Sequence, residues 1–235
     1  MAAGLDAAIE LVISGRPRPV GNVTVARLIP VAQRRHLGPF VFLDHMGPVA
    51  FPAGTGFDVA QLWLGLPLAH EQGEPLFAHH PADSLPIFES SGLRARILFG
   101  AAFGKTSPAL HPANPLLAEV RFDPGATLEH PALTPEDERG IFLIEGELQL
   151  GETVLQPNQL LVFKPSVPVK LQANQRSRAL LLGGPRLDGA ERFIDWNFVC
   201  SSKEAIAQAK ADWIARKFPL VPGDEEEFIP LHQNH

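Results

Sequence analysis

The chain has 235 residues, 45% of them hydrophobic, a formal net charge of −6 and a pI near 5.8. Such a length can bury one large core or two small ones, and the acidic balance excludes a global attraction to nucleic acid or to an anionic membrane. A single cysteine, Cys200, excludes an internal disulfide and any cysteine-rich zinc site.

The N-terminus, MAAGLDAAIELVIS, carries Asp6 and Glu10 where an export signal wants positive charge, so a cytoplasmic protein is expected. No apolar run approaches the ~18 residues of a membrane span. The first clear element is Val23–Ile29, which alternates apolar and polar until Pro30 stops it. Pro39–Leu43 reads as a buried strand closed by DHMGP. The stretch FPAGTGFDVAQLWLGLP, Phe51–Pro67, begins as a loop and passes through Val59-Ala60-Gln61 into an apolar strand, Gln61–Leu66. Further strands are predicted over Leu93–Phe99, Leu116–Phe122, Ile141–Leu150, Gln159–Phe163, Val169–Ala173 and Ala179–Leu182. With 23 prolines and 20 glycines between short elements, the pattern predicts an all-β sandwich or barrel-like jelly roll.

One segment differs. Ser201-Ser202-Lys203-Glu204 has the spacing of a capping box, with Ser201 as N-cap. The helix it opens places Ile206, Ala209 and Trp213 on one face and should end near Lys217-Phe218-Pro219, with Arg216 and Lys217 in its last turn. The acidic run Asp224–Glu227 reads as a solvated turn.

The chemical motifs mostly reduce to bland readings. Gly100-Ala-Ala-Phe-Gly104-Lys105-Thr106 has three residues between its glycines where a phosphate loop needs four, and Ser107-Pro108 follows instead of a helix. It reads as a strand followed by a glycine turn. The nine histidines (His36, His45, His70, His79, His80, His111, His130, His232, His235) include no His-x-His pair, the spacing that points two imidazoles to one side of a strand. There is no G-x-S-x-G, and Cys200 reads as a buried, inert thiol. The basic residues, densest at Arg34-Arg35 and Arg176/Arg178, are too sparse for a phosphate track.

Gly38-Pro-Phe-Val-Phe-Leu-Asp-His-Met-Gly-Pro48 resembles the opening of the pirin family. So do QLWLGLP at 61–67, FAHHPADSLP at 77–86, FGAAFGKTSP at 99–108, LLLGGPRL at 180–187, WNFVCSSKEAIAQAKADW at 196–213 and FPLVPGDEEEFIPL at 218–231, in that order. The resemblance implies a bicupin, two cupin-type double-stranded β-helices in one chain, here with a truncated first cupin over 1–88, a second over 89–198, and a C-terminal α-helix and tail over 199–235. It also implies a metal, usually iron, bound in the first cupin by three histidines and a glutamate. Some members resemble flavonol (quercetin-type) dioxygenases, and others are linked to transcription partners.

In the family, the segment after the GFDV-like stretch runs into a His-x-His strand, then hairpins, then a strand with the remaining ligands. Here Gly56-Phe-Asp-Val59 meets Gln61-Leu-Trp-Leu64 across Ala60 alone, and none of the four ligand positions has a counterpart. The second cupin offers no replacement. Aligning the cupin pattern on Gly125 and Gly146 puts Pro131 and Leu133 at the His-x-His positions, Arg139 at the glutamate position and Val169 near the later histidine. His130, one residue off, is expected on the opposite face. The second cupin therefore reads as structural.

The expectation is a pirin-like protein without the family metal site, with no catalytic, metal or cofactor residues assigned and no cofactor predicted. It would act as a non-catalytic binding protein for an unidentified protein or small molecule, without contact to nucleic acid or membrane. Loss of interior strands would expose hydrogen-bonding edges, which predicts a homodimer or higher oligomer. One alternative is an iron-dependent dioxygenase with ligands improvised from Asp44, His45, His70, His79 or His80. The other is a deletion product without function.

Overall fold

The computed structural model describes residues 6–20, 23–50, 56–131, 133–220, 223, 225–226 and 228–231. Phe51 and Pro52, the ends of the acidic run at Asp224 and Glu227, and His232 and His235 lie outside the described residues.

In chain order the strands are β1 (Ile9–Ser14), β2 (Arg16–Val20), β3 (Val23–Ile29), β4 (Phe40–Ala50), β5 (Gly56–Leu64), β6 (Ile87–Ser90), β7 (Leu93–Phe99), β8 (Ala101–Ala102), β9 (Lys105–Thr106) and β10 (Leu116–Phe122). There follow β11 (Thr127–His130), β12 (Asp137–Glu145), β13 (Leu148–Leu150), β14 (Thr153–Leu155), β15 (Gln159–Phe163), β16 (Val169–Ala173), β17 (Ser177–Pro185), β18 (Phe193–Asp195) and β19 (Phe198–Cys200). The helix α1 (Lys203–Ile214) closes the series. No described helix is long and apolar enough to cross a membrane.

The architecture is all-β, built around a seven-stranded sheet in the order β1-β15-β12-β17-β10-β7-β6. Its central strands are apolar on both faces because both faces are covered. From β12, β15 and β17, Ile141, Leu143, Leu161, Phe163, Ala179 and Leu181 turn to one side. Phe142, Leu160, Val162, Leu180 and Leu182 turn to the other. The first side packs on a four-stranded sheet, β11-β16-β13-β14, and the two sheets enclose the interior of a cupin barrel. The second side packs on the sheet β2-β3-β4-β5, through Leu28, Ile29, Phe40 and Leu43. β1 leaves the N-terminal segment and pairs with β15, so the chain's first strand completes the central sheet.

Four predicted boundaries move. β4 does not stop at DHMGP but runs on to Ala50, because a register shift between Met46 and Val49 absorbs Gly47 (φ 140°) and Pro48. The Ile141–Leu150 run is two strands, turning at Gly146 (φ 92°), where a Cβ would come within 2.4 Å of Arg176 O and 2.2 Å of Ser177 Oγ. The helix cap is Ser202, which accepts from the Ala205 N–H; Ser201 is instead drawn to Glu71. The helix ends at Ile214, and Arg216 (φ 53°) lies beyond its last turn.

Candidate functional site

Val59-Ala60-Gln61, where the GFDV stretch meets QLWLGLP, lies in the middle of a strand. β5 runs unbroken from Gly56 to Leu64 and stays paired with β4 across the junction: Met46 opposite Val59, His45 opposite Ala60, Asp44 opposite Gln61.

The residues named as substitute ligands are dispersed. Asp44 and His45 are neighbours on β4 and point to opposite faces. Asp44 is buried and takes a two-pronged contact from Arg27, Nε to Oδ1 at 2.9 Å and Nη2 to Oδ2 at 2.8 Å. His45 is buried against the central sheet, its Nε2 2.8 Å from Asp58 Oδ1 and its Nδ1 2.9 Å from the Asn158 side chain. Burial holds its pKa below the ordinary histidine value against the pull of Asn158, and the charge of Arg178 adds to the lowering. Arg178 itself pairs with Asp58, so the His45 network ties the first sheet to β17. His70 ends an exposed 3₁₀ turn, Leu68–His70; His79 is exposed and His80 half-buried in the loop beyond it. Among the described residues, no group of three or more His, Cys, Asp or Glu side chains could hold a metal ion. The donor set for the iron that the family implies is therefore not assembled by these residues.

Other motifs resolve into structural roles. Gly100–Thr106 turns a small hairpin, β8 with β9, through Phe103 (φ 52°) and Gly104 (φ 69°). Cys200 is buried, with its thiol 3.4 Å from Glu71 Oε2. Glu71 also accepts from Ser201 N–H and Oγ–H and pairs with Arg192 at 2.8 Å, binding the loop after β5 to the C-terminal segment. The arginines are less scattered than the sequence suggests. Arg94, Arg121 and Arg178 stand side by side across β7, β10 and β17, each beside a carboxylate: Glu89, Glu119, and Asp58 with Glu145. That pairing neutralises the row.

The interior of the second barrel departs from expectation at one residue. His130 does not turn outward: it is buried on the face of β11 that carries Leu128, a residue of the barrel core. The alternation is set from Leu128, and β11 ends at His130 before Pro131, so the face assigned from Gly125 is off by one. Leu128 carries that inward phase, but a four-residue strand gives it little support in the sequence. Arg139, at the position aligned with a metal-binding glutamate, is fully buried in the same interior. Its guanidinium donates to His130 Nδ1 and to the carbonyls of Pro131 and Val167, and lies 5.7 Å from the Phe163 ring centroid. Beside them, at the barrel mouth, is a cavity of about 750 Å³ lined by His111, His130, Leu110, Leu116, Pro131 and Leu133, among others.

The pirin C-terminal cupin domain matches residues 117–219. A pirin-like protein of Caulobacter vibrioides is 34% identical, with 95% of this chain and 99% of that protein covered. The alignment spans 292 positions, more than the 235 residues of this chain, so the relative has positions without a counterpart here. A crystal structure of quercetin 2,3-dioxygenase from Acinetobacter baumannii superposes with a TM-score of 0.82 at 20% identity, covering 97% of this chain and 96% of that one. The nickel(II) complex of the bacterial pirin YhhW from Escherichia coli gives 0.51 at 10% identity, covering 75% and 99%. These two share the fold; the relative at 34% identity, matched over nearly its whole length, fixes the family. The chain belongs to the pirin family.

Proposed function

We propose that this pirin has lost the metal centre of its first cupin and works by binding a small molecule or a protein, not as a metal-dependent dioxygenase. The observation that carries the reading is β5, which joins the two flanks of the ligand segment within one paired strand. The longer alignment with the Caulobacter relative supports it, as does the commitment of Asp44 to Arg27 and of His45 to Asp58 and Asn158. On this reading residues 89–198 form the second cupin, with β1 and the start of β6 completing its central sheet, and β2 to β5 keep only the outer sheet of the first. The test is loading with ferrous iron followed by gel filtration and metal analysis. The dioxygenase reading requires bound iron and flavonol turnover.

A second copy of the chain is the partner that the edges favour. β2 and β5 are the two edges of the first sheet. β2 reads Arg-Pro-Arg-Pro-Val, and prolines offer an incoming strand no N–H. The nine-residue β5 has no proline or lysine, so it is the unprotected edge. Pairing of β5 with its copy would make a dimer, and light scattering showing a stable monomer at high concentration would rule it out.

A further inference from the structure

Arg139 presents a charge problem that the fold alone does not solve. It is fully buried; its partners are one imidazole nitrogen and two carbonyls, all neutral, and its Nε has no partner among the described residues. No described carboxylate pairs with it. A buried charge is ordinarily matched by an opposite one. Among the described residues no group supplies the compensating anion.

The cavity at the barrel mouth lies next to this cation and is equipped for such an anion. A guanidinium only donates, so His130 Nδ1 must accept from Arg139, and the imidazole proton sits on Nε2. The Pro131 carbonyl, 3.1 Å from the same Nδ1, takes its proton from Arg139 as well. His111 is fixed the same way: its Nδ1 accepts from the Ala113 N–H at 3.2 Å, leaving its own proton on Nε2. Two cavity-lining imidazoles thus each keep an N–H donor, and one of them is backed by a buried positive charge. The remaining walls are largely apolar, with Phe103, Leu116 and Leu133 inside and Leu110, 87% exposed, at the rim. Two carboxylates also line the cavity, and both are engaged: Glu129 with Lys170 at 2.7 Å, and Asp137 with the Thr134 hydroxyl at 3.0 Å.

We infer that the mouth of the second cupin is a binding site for a small aromatic carboxylate, its anionic oxygens held by the Nε2–H groups of His130 and His111 in the field of Arg139, and its ring in the apolar part of the cavity. A fixed guanidinium occupies the position where a metal-binding cupin has a ligand, and attracts the same class of oxygen anion that a metal would. This gives a ligand class to the binding protein proposed above and rests on that reading.

The test is calorimetric titration of the metal-free full chain with sodium benzoate and, separately, with benzamide, which has the same shape without the charge. Benzoate should saturate one site and bind roughly tenfold more tightly than benzamide, the difference between a charge-assisted and a neutral hydrogen-bonded contact. Arg139→Met should abolish that preference. His111→Phe, which removes one donor at the cavity wall and leaves the barrel core alone, should weaken benzoate severalfold and serves as the deciding variant if Arg139→Met does not fold. Equal affinity for the two probes, unchanged benzoate binding in the variants, or no saturable binding would overturn the site. None of these results touches the iron measurement, which tests the loss of the first metal centre by itself.

Discussion

The central sheet is flanked by two β layers that differ in what they enclose. On one side β11, β16, β13 and β14 close a barrel around an interior, and that interior holds Arg139 and His130. On the other side β2 to β5 form a single sheet whose apolar residues, Leu28, Ile29, Phe40 and Leu43, are spent on the contact with the central sheet. The contrast explains how the fold survives the proposed loss. The interior of the first barrel would go with its inner strands, but the contact between layers belongs to the outer sheet, which remains. On the proposed reading, stability and metal chemistry reside in separable parts of the first cupin.

The contrast can be broken at the shared interface first. Phe142 is fully buried there, its ring 5.3 Å from that of His45, and Phe142→Ala should cost about 4 kcal/mol in urea unfolding. A loss below about 1 kcal/mol, within the range of an ordinary surface substitution, would mean that the two layers are only loosely joined. Next is Glu138, buried on β12, which receives Arg34 at 2.9 Å, Arg186 at 2.9 Å and the Gly38 N–H at 2.7 Å, and so links the segment before β4 to the central sheet. Glu138→Gln should cost roughly 2 kcal/mol by taking the buried charge from between Arg34 and Arg186, with Arg34 keeping Glu10 at 2.8 Å.

The pH dependence follows in size. Burial is the main cause that lowers the pKa of His45, His111 and His130, with nearby positive charge adding in each case. The unfolded chain therefore takes up these protons first, and stability should fall as pH drops below about 6.5. Glu138 acts in a lower window. Its burial raises the pKa, but the His36 ring 3.6 Å away, the hydrogen bond from Gly38 and the charge of Arg34 outweigh that and leave it depressed. Its contribution is complete above about 4.5 and is lost as pH falls through the lower folded value. A urea midpoint unchanged between neutral pH and pH 5.5 would contradict the histidine assignments. The smallest effect is expected on the outward face of the first sheet, where Trp63 stacks on Phe42 at 4.5 Å. Trp63→Ala should cost about 1 kcal/mol. A loss matching that of Phe142→Ala would show that this face is covered as a core is.

The all-β class, the cupin family and the central strands were legible because β7, β10, β12, β15 and β17 are apolar runs bounded by glycine, proline and turn residues. What the sequence concealed was phase and partnership. Alternation counted from Gly125 puts His130 on the wrong face, alternation from Leu128 on the right one, and the short β11 gives little pattern to choose between them. The arginine row was hidden because Arg94, Arg121 and Arg178 are far apart in the chain and meet only through the register of three strands. Ser201 looked like the helix cap, but its hydroxyl is held by Glu71, 130 residues earlier, and no local pattern reports that.

The most direct test of the central claim is iron per chain, measured after incubation with ferrous iron and removal of loosely held ion by gel filtration. Near-zero iron is predicted, because on the proposed reading the ligand segment is missing and the described residues assemble no group of three or more His, Cys, Asp or Glu side chains that could hold a metal. Stoichiometric iron would contradict it and would place a metal centre among histidines that the fold keeps apart.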